Sequence, residues 1–128
     1  MEGHTSRTDP LQILIVDDTG NSEDLTTLLE AAGHSVHKAV DQREALILAD
    51  QYRIDFAMVE IGSPGIIGYE CARQLRIARG LDVTLVAMAD RSVNEDRRTY
   101  YGGFDHLLLR PIEVHALDAI LGSSRAKE

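Results

Sequence analysis

The chain has 128 residues, 44% apolar and 27% charged, with a formal charge of −8 from 21 acidic and 13 basic residues. That is enough core for one domain and too little for two, and the acidic balance disfavours nonspecific nucleic-acid binding, because phosphates are repelled at long range. No apolar run reaches the ~20 residues of a membrane span, the polar start lacks the apolar stretch of a signal peptide, and the lone Cys71 supplies neither a disulfide nor a thiolate metal site. The compartment expected on these grounds is the cytoplasm.

Residues 1–10, MEGHTSRTDP, carry no periodicity and are expected to form a disordered leader to a domain over 11–121. Leu11 to Val16 reads as a buried strand ending at the paired carboxylates Asp17 and Asp18. Leu25, Leu28, Leu29 and Ala32 follow at helical spacing, with Gly33 as the stop. Ser35 to Val40 mixes β-branched residues with His37 and Lys38, the pattern of a strand at a sheet edge. Asp41 and Glu44 have the spacing of a capping box for a helix whose apolar face is Ala45, Leu48, Ala49 and Tyr52. Phe56 to Val59 is an apolar run ending at Glu60, and Gly62, Pro64, Gly65 and Gly68 then forbid regular structure. A third helix is expected from about Gly68 to Ala78, with Cys71, Leu75 and Ala78 on one face. Val83 to Ala89 is another interior strand. Asp90 to Tyr101 holds a weak helical stripe of Val93, Arg97, Tyr100 and Tyr101, the least securely held helix of the five. His106 to Leu109 gives a fifth strand, stopped by Arg110-Pro111. Val114, Leu117 and Leu121 mark the last helix, before a polar tail over 122–128.

Five strand signals alternating with five helix signals indicate βαβ units and a parallel sheet covered on both faces. The mixed second strand suits a doubly wound order 2-1-3-4-5, which brings Asp17, Asp18 and Glu60 to the reversal point where such sheets bind ligands. At ~4 Å and an effective dielectric of about 20, each like-charged pair costs roughly 4 kcal/mol, so the cluster requires protons or a cation. Mg²⁺ and the Arg110 guanidinium both qualify, and the sequence does not choose between them. Dinucleotide binding is disfavoured, because the turn after the first strand is Asp-Asp-Thr-Gly rather than a glycine-rich phosphate cradle. A metal-dependent phosphatase or phosphotransferase is the enzyme-class rival. Against it, no second nucleophile, paired general acid or phosphate loop is apparent.

The segments LQILIVDD, VEIGSPGIIGYE, VTLVAMA and GFDHLLLRP together resemble the response-regulator receiver domain of two-component signalling, over about Gln12 to Leu121. The resemblance implies a flavodoxin-like fold, a phosphorelay role and histidine-kinase or signalling-complex partners. It implies phosphoryl transfer from a kinase histidine to an aspartate ending the third strand, with Mg²⁺ held by Asp17, Asp18, the acceptor and the carbonyl at Gly62. It also implies a cis bond at Arg110-Pro111. Four positions depart from the pattern. Glu60 replaces the acceptor aspartate, Ala89 a Ser or Thr hydroxyl, Arg110 a lysine, and Leu107 an aromatic switch residue. Transfer depends on positioning and charge stabilisation, so a carboxylate one methylene too long argues for a pseudo-receiver: an interaction module rather than an enzyme, with Mg²⁺ weak or absent. The alternative expectation is a Mg-dependent receiver that still takes a phosphoryl group. The expected interaction surface, for a partner or for a homodimer, is the helix near Tyr100 with the last strand and last helix. Neither nucleic acid nor membrane is expected as a partner.

Overall fold

The computed structural model describes residues 10–61, 68–90 and 103–123. Its elements are β1 (Gln12–Val16), α1 (Glu23–Ala31), β2 (Ser35–Ala39), α2 (Gln42–Gln51), β3 (Phe56–Glu60), α3 (Gly68–Arg79), a 3₁₀ turn (Gly80–Asp82), β4 (Thr84–Asp90), β5 (His106–Arg110) and α4 (Val114–Leu121). All five strands are parallel, in the order β2-β1-β3-β4-β5. Residues 1–9 of the expected leader, 124–128 of the expected tail, the loop carrying Gly62, and residues 91–101 of the expected fourth helix fall outside the described residues. Four α-helices lie among those that are described, and Asp90, expected to open a helix, instead ends β4.

Strand alternation sorts the core into two layers. Leu14, Val16, Ala57, Val59, Leu85 and Ala87 pack with Ala45 and Ala49 of α2 and Cys71, Ala72 and Leu75 of α3. Ile13, Ile15, Phe56, Met58, Val86, Met88 and Leu108 pack with Leu25 and Leu29 of α1 and Leu117 and Ile120 of α4. β1, β3 and β4 are therefore buried on both faces, which is why they read as continuous apolar runs. Burial of each large side chain contributes about 1.5–3 kcal/mol.

The helix stripes are narrower than their sequence spacing indicates. Leu28 and Ala32 of the first stripe, Tyr52 of the second, Ala78 of the third and Val114 of the last are exposed. A short helix on a sheet buries only the residues within about half a turn of its contact line. In α3 Ala72 takes the place assigned to Ala78, and in α4 Ile120 joins Leu117 in the core. Tyr52 instead stacks on His37 of edge strand β2, with ring centroids 4.0 Å apart.

The local stops behave as their chemistry requires. Gly33 has φ +97°, the left-handed conformation that ends α1. The Asp41 carboxylate accepts the Glu44 amide at 2.9 Å, while the Glu44 carboxylate reaches back to the Val40 amide at 3.0 Å, one residue beyond a standard capping box. Cys71 is buried against the sheet, and burial pushes its thiol up to about 11, so it acts as a packing group. The Arg110-Pro111 bond is cis.

Candidate functional site

The sheet register decides which charged groups meet. Val16 pairs with Val59, so Asp17 follows β1 beside Glu60 at the end of β3, and both continue the face carrying Ile15 and Met58. Across β3–β4, Glu60 pairs with Met88, and across β4–β5, Asp90 pairs with Arg110. Glu60, Met88, Asp90 and Arg110 thus share the face toward α1 and α4. Arg110 must reach over β4 and back by two residues to meet Glu60.

It does so with a fork. Arg110 Nη1 donates to Glu60 Oε2 at 3.3 Å, Nη2 donates to Glu60 Oε1, and Nη1 also donates to Asp90 Oδ1 at 3.3 Å. The Glu60 and Arg110 side chains retain 10% and 18% exposure, whereas Asp90 retains 60%. The Glu60 pair is therefore the one shielded from water. Burial raises the Glu60 carboxyl above its usual range, with Arg110 pulling it back and Asp17 and Asp90 adding to the rise. The bond to Glu60 in turn raises Arg110, holding the guanidinium firmly charged.

Asp17 is 8% exposed. Its Oδ1 accepts the Thr19 amide at 2.8 Å and the Thr19 hydroxyl at 2.5 Å. Burial pushes this carboxyl up, but the Thr19 bonds outweigh it, with help from the Ser22 hydroxyl and Arg110, and hold it below its usual value. Its Oδ2 is buried and has no hydrogen-bond partner among the described residues. One step along the chain, Asp18 turns outward and is exposed, bordering with Glu60 a crevice of about 30 Å³ against α3. A larger groove of about 480 Å³ runs between the start of α1 and the end of β5, with Met88, Arg110 and Pro111 among its walls.

Of the residues singled out from sequence, the fold brings Asp17, Glu60 and Arg110 to one place and leaves Asp18 at its rim. Ala89 is buried and presents only a methyl group on the opposite face of β4. Leu107 is half-buried and packs on the α3 side of the sheet. Gly62 lies outside the described residues. Asp90 was missed as a site residue. Its signal was a carboxylate ending an apolar strand, the same one that drew attention to Glu60.

Receiver domains generally bind Mg²⁺ at their phosphorylation site. Among the described residues, the groups that the resemblance assigns to that ion offer it no open set of oxygens. Both Glu60 oxygens are engaged by a cation that never deprotonates, and among the described residues no three His, Cys, Asp or Glu side chains converge as a metal-binding group.

A five-stranded parallel sheet of this order, with acidic residues at the switch point, defines a flavodoxin-like domain. The chain belongs to the response regulator receiver domain family, whose model matches residues 13–121. It is 36% identical to the response regulator MprA of Mycolicibacterium vanbaalenii over 91% of this chain and 50% of that protein. It is 31% identical to Protein PilH of Pseudomonas aeruginosa over 83% of this chain and 90% of that protein. The chain thus spans about half the length of MprA but most of PilH. A response regulator receiver domain (CheY-like) from Methylobacillus flagellatus superposes with a TM-score of 0.76 at 25% identity, covering 90% of this chain and 98% of the other. Receiver domains are signalling modules that accept a phosphoryl group.

Proposed function

We propose that the chain is a phosphorylation-independent receiver in two-component signalling, an interaction module whose conformation is fixed internally. The observation that carries this reading is the bidentate Arg110–Glu60 pair at the position where the family places its phosphoacceptor. A carboxylate held on both oxygens by a guanidinium is a weakened nucleophile, since the fork draws off its negative charge and fixes an orientation that in-line attack on phosphorus would have to match. The missing hydroxyl at Ala89 removes a donor for a phosphoryl oxygen, and Leu107 removes the polar contact of an aromatic switch.

Receiver domains interact with histidine kinases and phosphotransfer proteins. The partners proposed for this chain are of that class, in a cytoplasmic setting, or are other components of the same signalling complex. β5, α4 and the helix expected near Tyr100 form the proposed contact surface, for such a partner or for a second copy of the chain. No membrane contact is part of this reading, and no described helix is long and apolar enough to cross a bilayer. Nucleic-acid binding is disfavoured by the charge of −8.

The test is intact mass after incubation with Mg²⁺ and a small acyl phosphate, beside a functional receiver as positive control. No phosphoryl increment is expected on this chain. An increment mapped to Glu60, Asp17 or Asp18 would favour the other reading, a Mg-dependent receiver that still takes phosphate. Glu60→Asp is expected to remain unlabelled, because Ala89 and Arg110 still lack the groups the reaction uses. Its labelling with no other change would overturn the proposal.

A further inference from the structure

We infer that the Arg110 guanidinium stands in for the divalent cation at the end of this sheet, so that the chain binds no Mg²⁺ there while Arg110 is in place. The inference deepens the proposed function and rests on the same Glu60–Arg110 pair, but it concerns the metal rather than the phosphoryl group.

The argument is one of charge and lone pairs. Glu60, Asp17 and Asp90 surround one position on the α1 face of the sheet, and the charge they demand is supplied by a residue of the chain itself. Arg110 gives two donors to Glu60 and one to Asp90, with its side chain largely buried. A bidentate fork takes both oxygens that a carboxylate would turn toward a metal. Asp17 Oδ1 is already taken by Thr19, which leaves the buried Oδ2 as its free oxygen. Mg²⁺ demands near-octahedral geometry and gives up its water reluctantly. Among the described residues that Asp17 oxygen and the solvent-facing Asp18 carboxylate, beside a fixed positive charge and without Glu60, do not meet that demand. Deprotonation of the guanidinium offers no way out, so a metal could enter only if Arg110 were displaced from Glu60.

The inference predicts that removing the guanidinium uncovers a metal site. The wild-type chain, Arg110→Gln and Arg110→Lys would be titrated with Mg²⁺ by calorimetry. Mn²⁺-induced broadening of the Asp17, Asp18 and Thr19 amide signals would locate the ion, and circular dichroism would report folding. The wild type is expected to show no binding at millimolar Mg²⁺. Arg110→Gln is expected to gain at least about tenfold in affinity, because a unit charge next to a divalent ion is removed in a partly buried setting. Arg110→Lys, which keeps a charge but loses the fork, is expected to fall between, and it carries the test if Arg110→Gln does not fold. Wild-type binding as tight as that of the variants would overturn the inference. So would the absence of binding in every folded form, since Arg110 would then not be what excludes the ion. Phosphoryl labelling of the wild type would defeat the proposed function but leave this metal titration standing. Metal binding by an unlabelled wild type would defeat only the inference.

Discussion

Arg110 reaches from the end of β5 across β4 to hold both carboxylate oxygens of Glu60 at the end of β3. The pair links two strands that are not neighbours and sits where water is largely excluded. Removing one partner of such a pair strands the other charge, so Arg110→Gln is expected to cost roughly 2–4 kcal/mol, the lower part of that range reflecting partial solvent access to Arg110. Replacing both residues by glutamine leaves neither member of the pair as a stranded charge and should cost less than the sum of the single changes. Urea denaturation of the two singles and the double measures the coupling, and strict additivity would mean that the two side chains do not interact energetically.

The same site gives stability two opposed pH dependences. Burial raises the Glu60 carboxyl in the folded chain above 4.5, so the native state takes up this proton before the unfolded state does. Its contribution therefore grows as pH falls from above the folded value toward 4.5 and is lost as pH rises back through that value. Asp17 runs the other way. Its folded value lies below 3.8, so its contribution is present above 3.8 and is lost as pH falls through the lower, folded value. Denaturation across a pH series should show that Glu60→Gln loses the gain just above 4.5. Asp17→Asn should lose part of the steep drop below 3.8. Unchanged pH profiles in both variants would contradict the assignment.

Gly68 opens α3 directly against the end of β3. A Cβ built there would lie 2.6 Å from the Glu60 carbonyl oxygen and 2.8 Å from Ile61 Cγ2. Alanine in place of glycine normally favours a helix by up to ~1 kcal/mol, but here one contact is backbone and cannot swing aside. Gly68→Ala is expected to destabilise the chain by about 1–3 kcal/mol, the range for overpacking. It should also disturb the Glu60 and Ile61 amide signals in NMR spectra. A stabilised variant would show that α3 can shift outward freely.

The interior strands were legible because fully buried parallel strands leave continuous apolar runs, and the half-polar SVHKA segment marked β2 as an edge, while the full order also drew on the receiver resemblance. The Asp41 cap and the Gly33 stop were legible for a similar reason, since each depends on residues three or fewer positions apart. The phase of each helix on the sheet was not legible. Leu28, Ala78 and Val114 are apolar and correctly spaced, but their exposure follows from how each short helix rolls on its sheet face. At the site, the strand ends delivered Glu60 and Asp17. Which cation would answer them depended on whether Arg110 could cross β4, and that is a matter of register rather than spacing. Asp17 and Asp18, as neighbours at a strand end, point to opposite sides, so Asp17 lies buried beside Glu60 while Asp18 meets Glu60 only across the exposed crevice against α3.

Least visible in the sequence was Arg76, which looks like an ordinary solvated helix residue. Its Nη1 donates to the carbonyls of Gly80 and Val83 at 2.7 and 2.9 Å. Its Nη2 donates to the Gly103 carbonyl at 3.1 Å and to Asp105 Oδ2 at 2.8 Å. The same Asp105 oxygen accepts the Leu85 amide at 2.9 Å. One guanidinium thus ties the end of α3, the turn after it, the approach to β4 and the approach to β5, at the N-terminal ends of the strands, opposite the site. Carbonyl acceptors leave no trace in side-chain patterns, and Asp105 lies 29 residues away. Hydrogen bonds to charged groups contribute about 1.5–3 kcal/mol, and the Arg76 side chain is only 23% exposed. Arg76→Ala should therefore cost roughly 2–3 kcal/mol, at the upper part of that range because three carbonyls lose a donor together. Amide exchange at Leu85 should accelerate in the same variant, while Mg²⁺ titration should be unchanged, since the affected groups lie far from Glu60. A loss confined to that of a surface arginine would mean that water replaces the guanidinium at these carbonyls without penalty.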